Sequence, residues 1–324
     1  MTNRTLMVSV FTLALIASIT GIAGVLTLSS VPDSRVLAQA VITGEWKGSL
    51  AKKDDSKINL NFETRRNTGT DKWGEHTIGH TFEFSELGLT REQVLKGGPV
   101  TFRLTREAGT IEGEGNFQNE KGSGTYRFTP NPGFLSAMKT RGFDFKKDSN
   151  ERHDGSPEER VLTAAVLNVT TALADDLLSA NFGKLEVSDL FKAAIFKIDS
   201  AFMREMKDTG FPNLSFNDLV KARIFHIDAN FVREAAQMGF GKEGFESLVK
   251  MSIFKVTPEF VAEVRNAGLN DISVQDVVKL RIFHIDGDFI HKAKAEGVPL
   301  NVEDLVKRKL GLDKISRSSR RVII

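Results

Sequence analysis

The chain has no cysteine and little tyrosine or tryptophan. These contents exclude some kinds of functional site and disfavour others. The lack of cysteine in 324 residues excludes disulfides, thiolate zinc sites, cysteine nucleophiles and a lipid-anchored N-terminal cysteine. One Tyr and two Trp stand against 24 Phe, and Phe is typical of cores rather than of binding hot spots. The 44 basic residues nearly balance the 42 acidic ones, so we expect no nucleic-acid partner.

The N-terminal 40 residues are predicted to be a signal peptide or a membrane anchor. Residues 5–31 are uncharged and largely apolar, which is long enough to span a bilayer. The segment Val36–Ala40 ends in the A-x-A pattern of a signal cleavage site. Cleavage after Ala40 and retention as an inner-membrane anchor both stay open. In either case the remainder is predicted to be exported to a bacterial periplasm or cell exterior.

Residues 41–130 show the period-two alternation of apolar and polar residues that is typical of strands. The alternating runs surround Ile58–Phe62, Thr81–Phe84, Val100–Leu104, Ile111 and Tyr126–Phe128. Thr90 and Gln93 form a capping-box pattern that predicts one short helix between them. About six strands predict a small antiparallel β-meander, either closed as a barrel or folded as a sandwich.

The first strand carries Gly44-Glu45-Trp46, which resembles the G-x-W signature of lipocalin-like barrels. That resemblance implies that the Trp plugs one end of a barrel. The other interpretation is a core Trp in an ordinary β-domain. An open barrel would carry a small apolar ligand, whereas a solidly packed domain would be a scaffold.

Residues 131–313 contain a repeat of 29 residues. Its marker is an Ile-Phe pair that recurs at Ile195, Ile224, Ile253 and Ile282. Each unit then has a Phe and closes on a glycine, at Gly210, Gly239, Gly268 and Gly297. Such coincidences at several offsets indicate a repeat architecture, which we predict to be an α-solenoid of helix-turn-helix units.

Local residue chemistry predicts where the helices of each unit begin and end. First helices are capped by pairs such as Ser215 with Asp218 and Ser273 with Asp276. Second helices begin at the residues Asp199, Asp228, Thr257 and Asp286. The closing glycine fits the left-handed position after a helix.

Outside the regular units we predict three further segments. Residues 131–155 comprise a stray repeat helix followed by a charged linker, and the array proper covers 156–313. It begins with a degenerate unit capped by Ser156. Residues 314–324 form a basic tail.

The repeat string Leu-Val-Lys-x-x-Ile-Phe, followed by Phe and a closing Gly, resembles repeats of exported bacterial proteins. It is similar to the extracytoplasmic repeat tails of beta-lactam-sensing antirepressor-type membrane metallopeptidases. The HExxH motif of the peptidase part is absent from this sequence, so the resemblance does not imply proteolysis. It implies an extracytoplasmic sensing or interaction role.

Motifs that suggest catalysis are better explained by structure. Glu75-His76 with His80 lies on a predicted strand, where positions i and i+4 are about 13 Å apart, too far to share a metal ion. Ser136 and Lys139 form an S-x-x-K string, but they lie in the stray repeat helix. His226 and His284 share a repeat position with Lys197 and Lys255, so we interpret them as surface side chains. We therefore predict no enzyme activity, no metal and no cofactor.

The best candidate site is a row of basic residues that stacked units would align. It comprises Lys192, Lys221, Arg223, Lys250, Lys279, Arg281 and Lys307. Such a stripe would hold an acidic protein, a peptide carboxylate or an anionic lipid. The alternative is that these side chains cover the seams between units with their stems while their charges stay in water.

Taken together, the sequence predicts a non-enzymatic, extracytoplasmic protein- or peptide-binding module that serves as adaptor or sensor. The alternative function is a carrier of a small apolar ligand in the β-domain. An uncleaved N-terminal segment would add a membrane contact.

Overall fold

The computed structural model describes residues 41–67, 73–147, 156–211 and 213–312. The predicted signal or anchor, most of the charged linker and the basic tail lie outside these residues. Within the described residues a six-stranded antiparallel sheet precedes twelve helices. The chain is therefore an α+β protein with a β-meander part, as the alternation pattern predicts.

The sheet consists of two three-stranded meanders. The strands are β1 (Ile42–Leu50), β2 (Lys57–Asn67), β3 (Trp73–Glu83), β4 (Gly98–Arg106), β5 (Gly109–Gln118) and β6 (Lys121–Pro130). They pair in the order β3-β2-β1-β6-β5-β4, so β1 and β6 join the two meanders. No ladder among the described residues pairs β3 with β4, and one open sheet replaces the expected barrel or sandwich. Alternation determines which face a residue takes, but not which strands pair.

Two short helices connect β3 to β4. Helix α1 (Phe84–Leu87) begins where we expected the strand to continue, because Glu83 and Glu86 form a capping box. Helix α2 (Arg91–Lys96) is the predicted one. Its capping box is confirmed: the backbone N–H of Gln93 donates to the Thr90 hydroxyl at 3.2 Å. Both helices contact β4.

The inner face of the sheet is filled by aromatic rings. Trp46, Phe62, Phe82, Phe117 and Phe128 are completely or almost completely buried. The Trp46 indole N–H donates to the carbonyl of Glu114 at 3.0 Å. Trp46 is therefore a core residue that also satisfies its polar atom.

Helices α3 (Pro132–Thr140), α4 (Pro157–Val166) and α5 (Thr171–Ser179) follow the sheet. Helix α4 contacts β3, β5 and β6, and its residues from Glu159 to Val166 are all buried. Arg160 donates to the carbonyls of Phe145 and Lys147, at 2.7 and 2.8 Å. Phe145 falls in the predicted charged linker, yet it is buried against Phe134 and Phe191. The described start of the predicted linker is therefore held to the core by Phe145, while Lys146 and Lys147 are exposed.

The remaining helices form four pairs, a first and a second helix for each 29-residue unit, and among the described residues α14 is a further first helix without a second. They are α6 (Val187–Phe196), α7 (Ser200–Asp208), α8 (Phe216–Ile224), α9 (Ala229–Ala235), α10 (Phe245–Ile253), α11 (Pro258–Asn266), α12 (Val274–Ile282), α13 (Gly287–Ala295) and α14 (Val302–Lys309). First helices contact first helices, as α6 does α8 and α10 does α12. Second helices contact second helices, as α5 does α7 and α11 does α13.

The predicted helix ends are confirmed. Asp199, Asp228, Thr257 and Asp286 each accept a hydrogen bond from the backbone three residues on. Ser215 and Ser273 form capping boxes with Asp218 and Asp276. The closing glycines Gly210, Gly239, Gly268 and Gly297 all have positive φ, which explains why glycine is needed there.

Carboxylates also cap helices across the seams between units. Asp176 accepts from the N–H of Ser200 at 2.8 Å, Glu205 from Ala229 at 3.0 Å and Glu263 from Gly287 at 2.7 Å. These three carboxylates share one repeat position. Glu107, in the turn between β4 and β5, accepts in the same way from Thr171 at 2.8 Å. The sheet therefore caps α5 as a preceding unit would.

Within the described residues, no helix taken alone has the length and apolar character needed to cross a bilayer. Helices α4 and α5 meet that requirement only as a pair, with a bend of 89° between them.

Candidate binding surface

The repeat marker Ile-Phe supplies an exposed aliphatic residue in every regular unit. The exposed fractions are 52% for Ile195, 47% for Ile224, 47% for Ile253 and 46% for Ile282. Leu310 holds the same place counted from the start of α14 and is 53% exposed. We call these five residues the aliphatic row. Each lies within one residue of the C-terminal end of a first helix, and the Phe after each Ile is half-buried.

The same position is covered where the units meet the sheet. Val166 lies 29 residues before Ile195 at the end of α4, and it is 0% exposed. The first unit therefore buries an aliphatic residue that the later units leave in contact with water. In the sequence, the Ile-Phe pairs stand out only as markers of the repeat. Two features of the sequence could have indicated a surface. Each pair lies at a predicted helix end, and a polar residue follows the pair in every copy.

That polar residue is basic and has an unusual backbone conformation. Lys197, His226, Lys255 and His284 have φ of 53°, 52°, 52° and 51°, and all four side chains are exposed. We call them the basic C′ residues. The following N–H bonds back to the helix, as Ile227 does to the carbonyl of Ala222 at 2.8 Å. This is the Schellman arrangement, in which the left-handed residue is usually glycine.

At the other helix ends among the described residues, the chain uses the residues that this conformation favours. The second helices of the regular units end on glycine, and α5 ends on Asn181 with φ 50°. The first helices at the two ends of the array, α4 and α14, end on Asn168 and Gly311. Among the helices that the structure describes, only the four central first helices have a basic residue in this conformation. A non-glycine residue there costs on the order of 1 kcal/mol, so side-chain chemistry outweighs backbone preference at these positions.

The predicted basic stripe lies on the seams between units, and several of its residues contact the neighbouring unit. Lys221 of α8 forms an ion pair with Glu246 of α10, and Lys279 of α12 with Glu303 of α14. The pKa of both lysines lies above its ordinary value because each ammonium donates a hydrogen bond to that glutamate. Lys192 and Lys307 lie near Asp189 and Asp304 of their own helices, at 3.7 and 3.0 Å. Lys250 is exposed.

The two arginines of the stripe stack on aromatic rings of the preceding unit. The Arg223 guanidinium lies 3.7 Å from the centre of the Phe202 ring, and that of Arg281 lies 4.8 Å from Phe260. Arg281 also donates to the carbonyl of Phe254 at 3.0 Å. These contacts agree with the seam-covering interpretation. Most residues of the stripe thus have partners within the chain.

The interior of the sheet leaves little room for the predicted apolar ligand. The Phe102 ring lies 5.3 Å from Trp46, and Tyr126 lies 5.2 Å from Phe62, both edge to face. An open cavity of about 710 Å³ lies beside these strands, lined by Leu87, Phe102, Tyr126 and exposed charged residues of β4, β5 and β6. A small ligand would therefore meet a partly polar groove rather than a sealed apolar barrel.

The histidines of β3 lie on a strand, as expected. His76 forms a hydrogen bond with the hydroxyl of Thr163 in α4 at 3.2 Å. His80 packs edge to face on Phe82 at 5.1 Å, and burial lowers its pKa. In the described part of the chain, no cluster of three metal-binding side chains occurs.

Comparison with protein-family models, with curated proteins and with solved structures finds no match for this chain. What the chain does is therefore inferred from its own residues. The similarity of its repeats to antirepressor-type tails stays a prediction.

Proposed function

We propose that the protein is a non-enzymatic, extracytoplasmic adaptor that binds a protein or peptide along its helical units. In this proposal the units stack as an α-solenoid. The contacts between equivalent helices and the carboxylates that cap across the seams support that stacking. The single observation that carries the function is the aliphatic row, because five half-exposed aliphatic side chains recur at one position of the repeat.

The aliphatic row replaces the predicted basic stripe as the main contact surface. Lys221 and Lys279 already hold partners in the next unit, whereas half of each Ile surface is open to water. Burying the open half of one Ile side chain contributes roughly 1 kcal/mol. Several such contacts along the row would together contribute a few kcal/mol to binding of a protein or peptide.

The test is capture of a partner by the full chain and by a triple variant, Ile224→Thr, Ile253→Thr and Ile282→Thr. The tagged proteins are cross-linked in the native envelope and recovered. We expect the wild type to recover a defined partner and the variant to lose it, with helicity unchanged. Leu95→Ser removes an exposed leucine of α2 outside the row (45% exposed) and should keep the partner. Equal recovery by all three proteins would show that the row is not the contact surface.

A further inference from the structure

We infer that the free edge of β4 binds a short extended peptide, which joins the sheet as an added strand. The inference goes beyond the proposed function, because this site lies on the sheet and not on the helical units. It depends on unpaired backbone groups along β4, on the open cavity beside them and on the alternation of side chains along the strand.

The backbone of β4 is bonded on one side only. It is the last strand of the sheet, and its ladder with β5 is antiparallel. In such a ladder, residues that exchange both backbone hydrogen bonds alternate with residues whose N–H and C=O point away. A two-residue turn joins Arg106 to Gly109, so that pair and every second pair before it are the bonded ones. The backbone groups of Thr101, Arg103 and Thr105 therefore point away from β5.

The neighbouring ladder supports this assignment. The turn between β5 and β6 joins Gln118 to Lys121, so the even-numbered residues of β5 bond to β6. Its odd-numbered residues then bond to β4, where their partners are even-numbered. Among the residues that the structure describes, none bonds to the outward backbone groups of Thr101, Arg103 or Thr105. Such unpaired groups are a template for another strand.

The open cavity beside the sheet extends around this edge. Thr101 and Arg103, which are exposed, line it together with Leu87 and Gly88 of α1. Its lining residues on strands belong to β1, β4, β5 and β6, so it reaches α1 past the free edge of β4. With a volume of about 710 Å³, it leaves open space directly beside the unpaired backbone groups.

The unpaired groups select an extended backbone as the ligand. Outward N–H and C=O groups recur at every second residue, about 7 Å apart, and a second extended chain presents matching groups at the same spacing. Strand addition takes its affinity from main-chain hydrogen bonds and its specificity from alternate side chains. Here one set of side chains would lie beside exposed Thr101 and Arg103, and the other beside buried Phe102 and Leu87. A peptide that alternates threonine with valine suits both environments.

The two ends of the edge favour a short occupant. Pro99 holds the next outward position and has no N–H to donate. At the other end, Arg106 forms an ion pair with Glu86 of α1. Proline and charged residues are features by which natural edges avoid pairing with a whole second strand. The free edge therefore covers residues 101–105 and fits a peptide of about five residues.

The experiment measures binding of fluorescein-labelled Thr-Val-Thr-Val-Thr to the full chain by fluorescence anisotropy. With the valines beside Phe102 and Leu87, the central threonine N–H of the peptide donates to β4. N-methylation of that threonine should weaken binding at least about tenfold, because a backbone hydrogen bond is left unmade. N-methylation of the second residue, a valine whose N–H points away from β4, should leave the affinity unchanged.

Variants of the protein test the same hydrogen bond from the other side. Thr101→Pro removes one outward N–H, and proline is tolerated at edge positions of this kind. It should weaken binding at least about tenfold, whereas Thr101→Val keeps the N–H and should keep the affinity. The matched control is Thr77→Pro on β3, the other edge strand, where alternation through the ladders also leaves the N–H outward. It should change nothing.

Other results overturn the inference in distinct ways. Absence of binding, or equal affinities of all three peptides, would show that main-chain hydrogen bonds to β4 do not hold the ligand. Loss of binding in Thr77→Pro but not in Thr101→Pro would place the peptide on β3. Self-association of the free chain that Thr101→Pro abolishes would make a second copy the occupant. Loss in the Ile224, Ile253 and Ile282 triple variant would place the peptide on the aliphatic row instead.

Discussion

At the residue scale, aromatic rings of the sheet lie over glycines of the neighbouring strand. Phe102 faces Gly113 and Phe117 faces Gly122 in the β4–β5 and β5–β6 ladders. Tyr126 likewise faces Gly44 across β1 and β6. A Cβ atom at Gly113 would come within 2.2 Å of the Phe102 ring. The glycines of these strands are therefore sites of close packing, which accounts for their frequency in segments that otherwise alternate like ordinary strands.

Gly113→Ala is accordingly expected to destabilise the protein by roughly 1–3 kcal/mol, because the Phe102 ring must leave its position in a packed core. Chemical denaturation monitored by Trp fluorescence measures the change in unfolding free energy. The matched control is Gly244→Ala at the start of α10, where an added Cβ meets nothing within 4 Å. Its effect should stay below about 1 kcal/mol, because alanine caps a helix less well than glycine but meets no clash there. Equal effects at both sites would contradict the packing role.

At the scale of the element, each second helix depends on the unit before it. A short helix leaves its first N–H groups without partners. Here one is satisfied by the N-cap side chain and another by a carboxylate from the preceding unit. Glu234 holds that carboxylate position before α11, but α11 begins at Pro258, which has no N–H. Glu234 can therefore be compared with Glu205, which holds the same repeat position but accepts a hydrogen bond from a helix N–H.

Glu205→Ala should therefore lower the unfolding free energy by about 1 kcal/mol, as expected for loss of a charged partner at a helix N-terminus. Glu234→Ala removes the equivalent carboxylate at a position where α11 has no N–H to donate to it. It should change the unfolding free energy by less than about 0.3 kcal/mol. Thermal unfolding followed by circular dichroism compares the two. A similar loss in both variants would mean that the carboxylates act through general charge effects instead.

At the scale of the whole molecule, the sheet and the helical units share one core. Helix α4 is buried along its length against three strands, and Glu107 of the sheet caps α5. At the other end, Lys292 occupies the position of Asp176, Glu205 and Glu263. A lysine cannot accept a helix N–H, so the series of capping carboxylates stops there.

A fragment of residues 41–147, which lacks α4, should accordingly expose the inner face of the sheet. We expect it to bind an apolar dye strongly and to unfold without a cooperative transition, whereas residues 41–211 should unfold cooperatively. Dye fluorescence and thermal denaturation provide the measurement. A cooperative transition in the shorter fragment would show that the sheet is stable without α4.

The sequence anticipated local features well and long-range ones poorly. The caps at Thr90, Ser156, Ser215 and Ser273 were predicted because capping depends on residues three positions apart. The positive φ of the closing glycines follows from equally local sterics. The open strand order and the burial of Phe145 were missed, because both depend on partners distant in the chain.

For the candidate surface, too, local features were predicted from the sequence and long-range ones were not. The 29-residue period and the position of every Ile-Phe pair were readable from the sequence. From the sequence, the lysines and arginines were nevertheless predicted to be the site, since charged side chains are commonly exposed. The structure places most of those charges on seams and leaves the isoleucines half open. An aliphatic residue at the end of a short helix is buried or exposed according to the neighbouring unit, which periodicity alone does not describe.

The amino-acid sequence by itself determined the strand alternation, the helix caps, the period of the units and the exclusion of cysteine chemistry. Each of these depends on residue type and on separations of a few positions along the chain. Tertiary structure decided that β1 pairs with β6, that α4 lies buried on the sheet and that the aliphatic row stays exposed. Those outcomes depend on which distant surfaces pack together. Apolar area is removed from water only where a complementary surface packs against it.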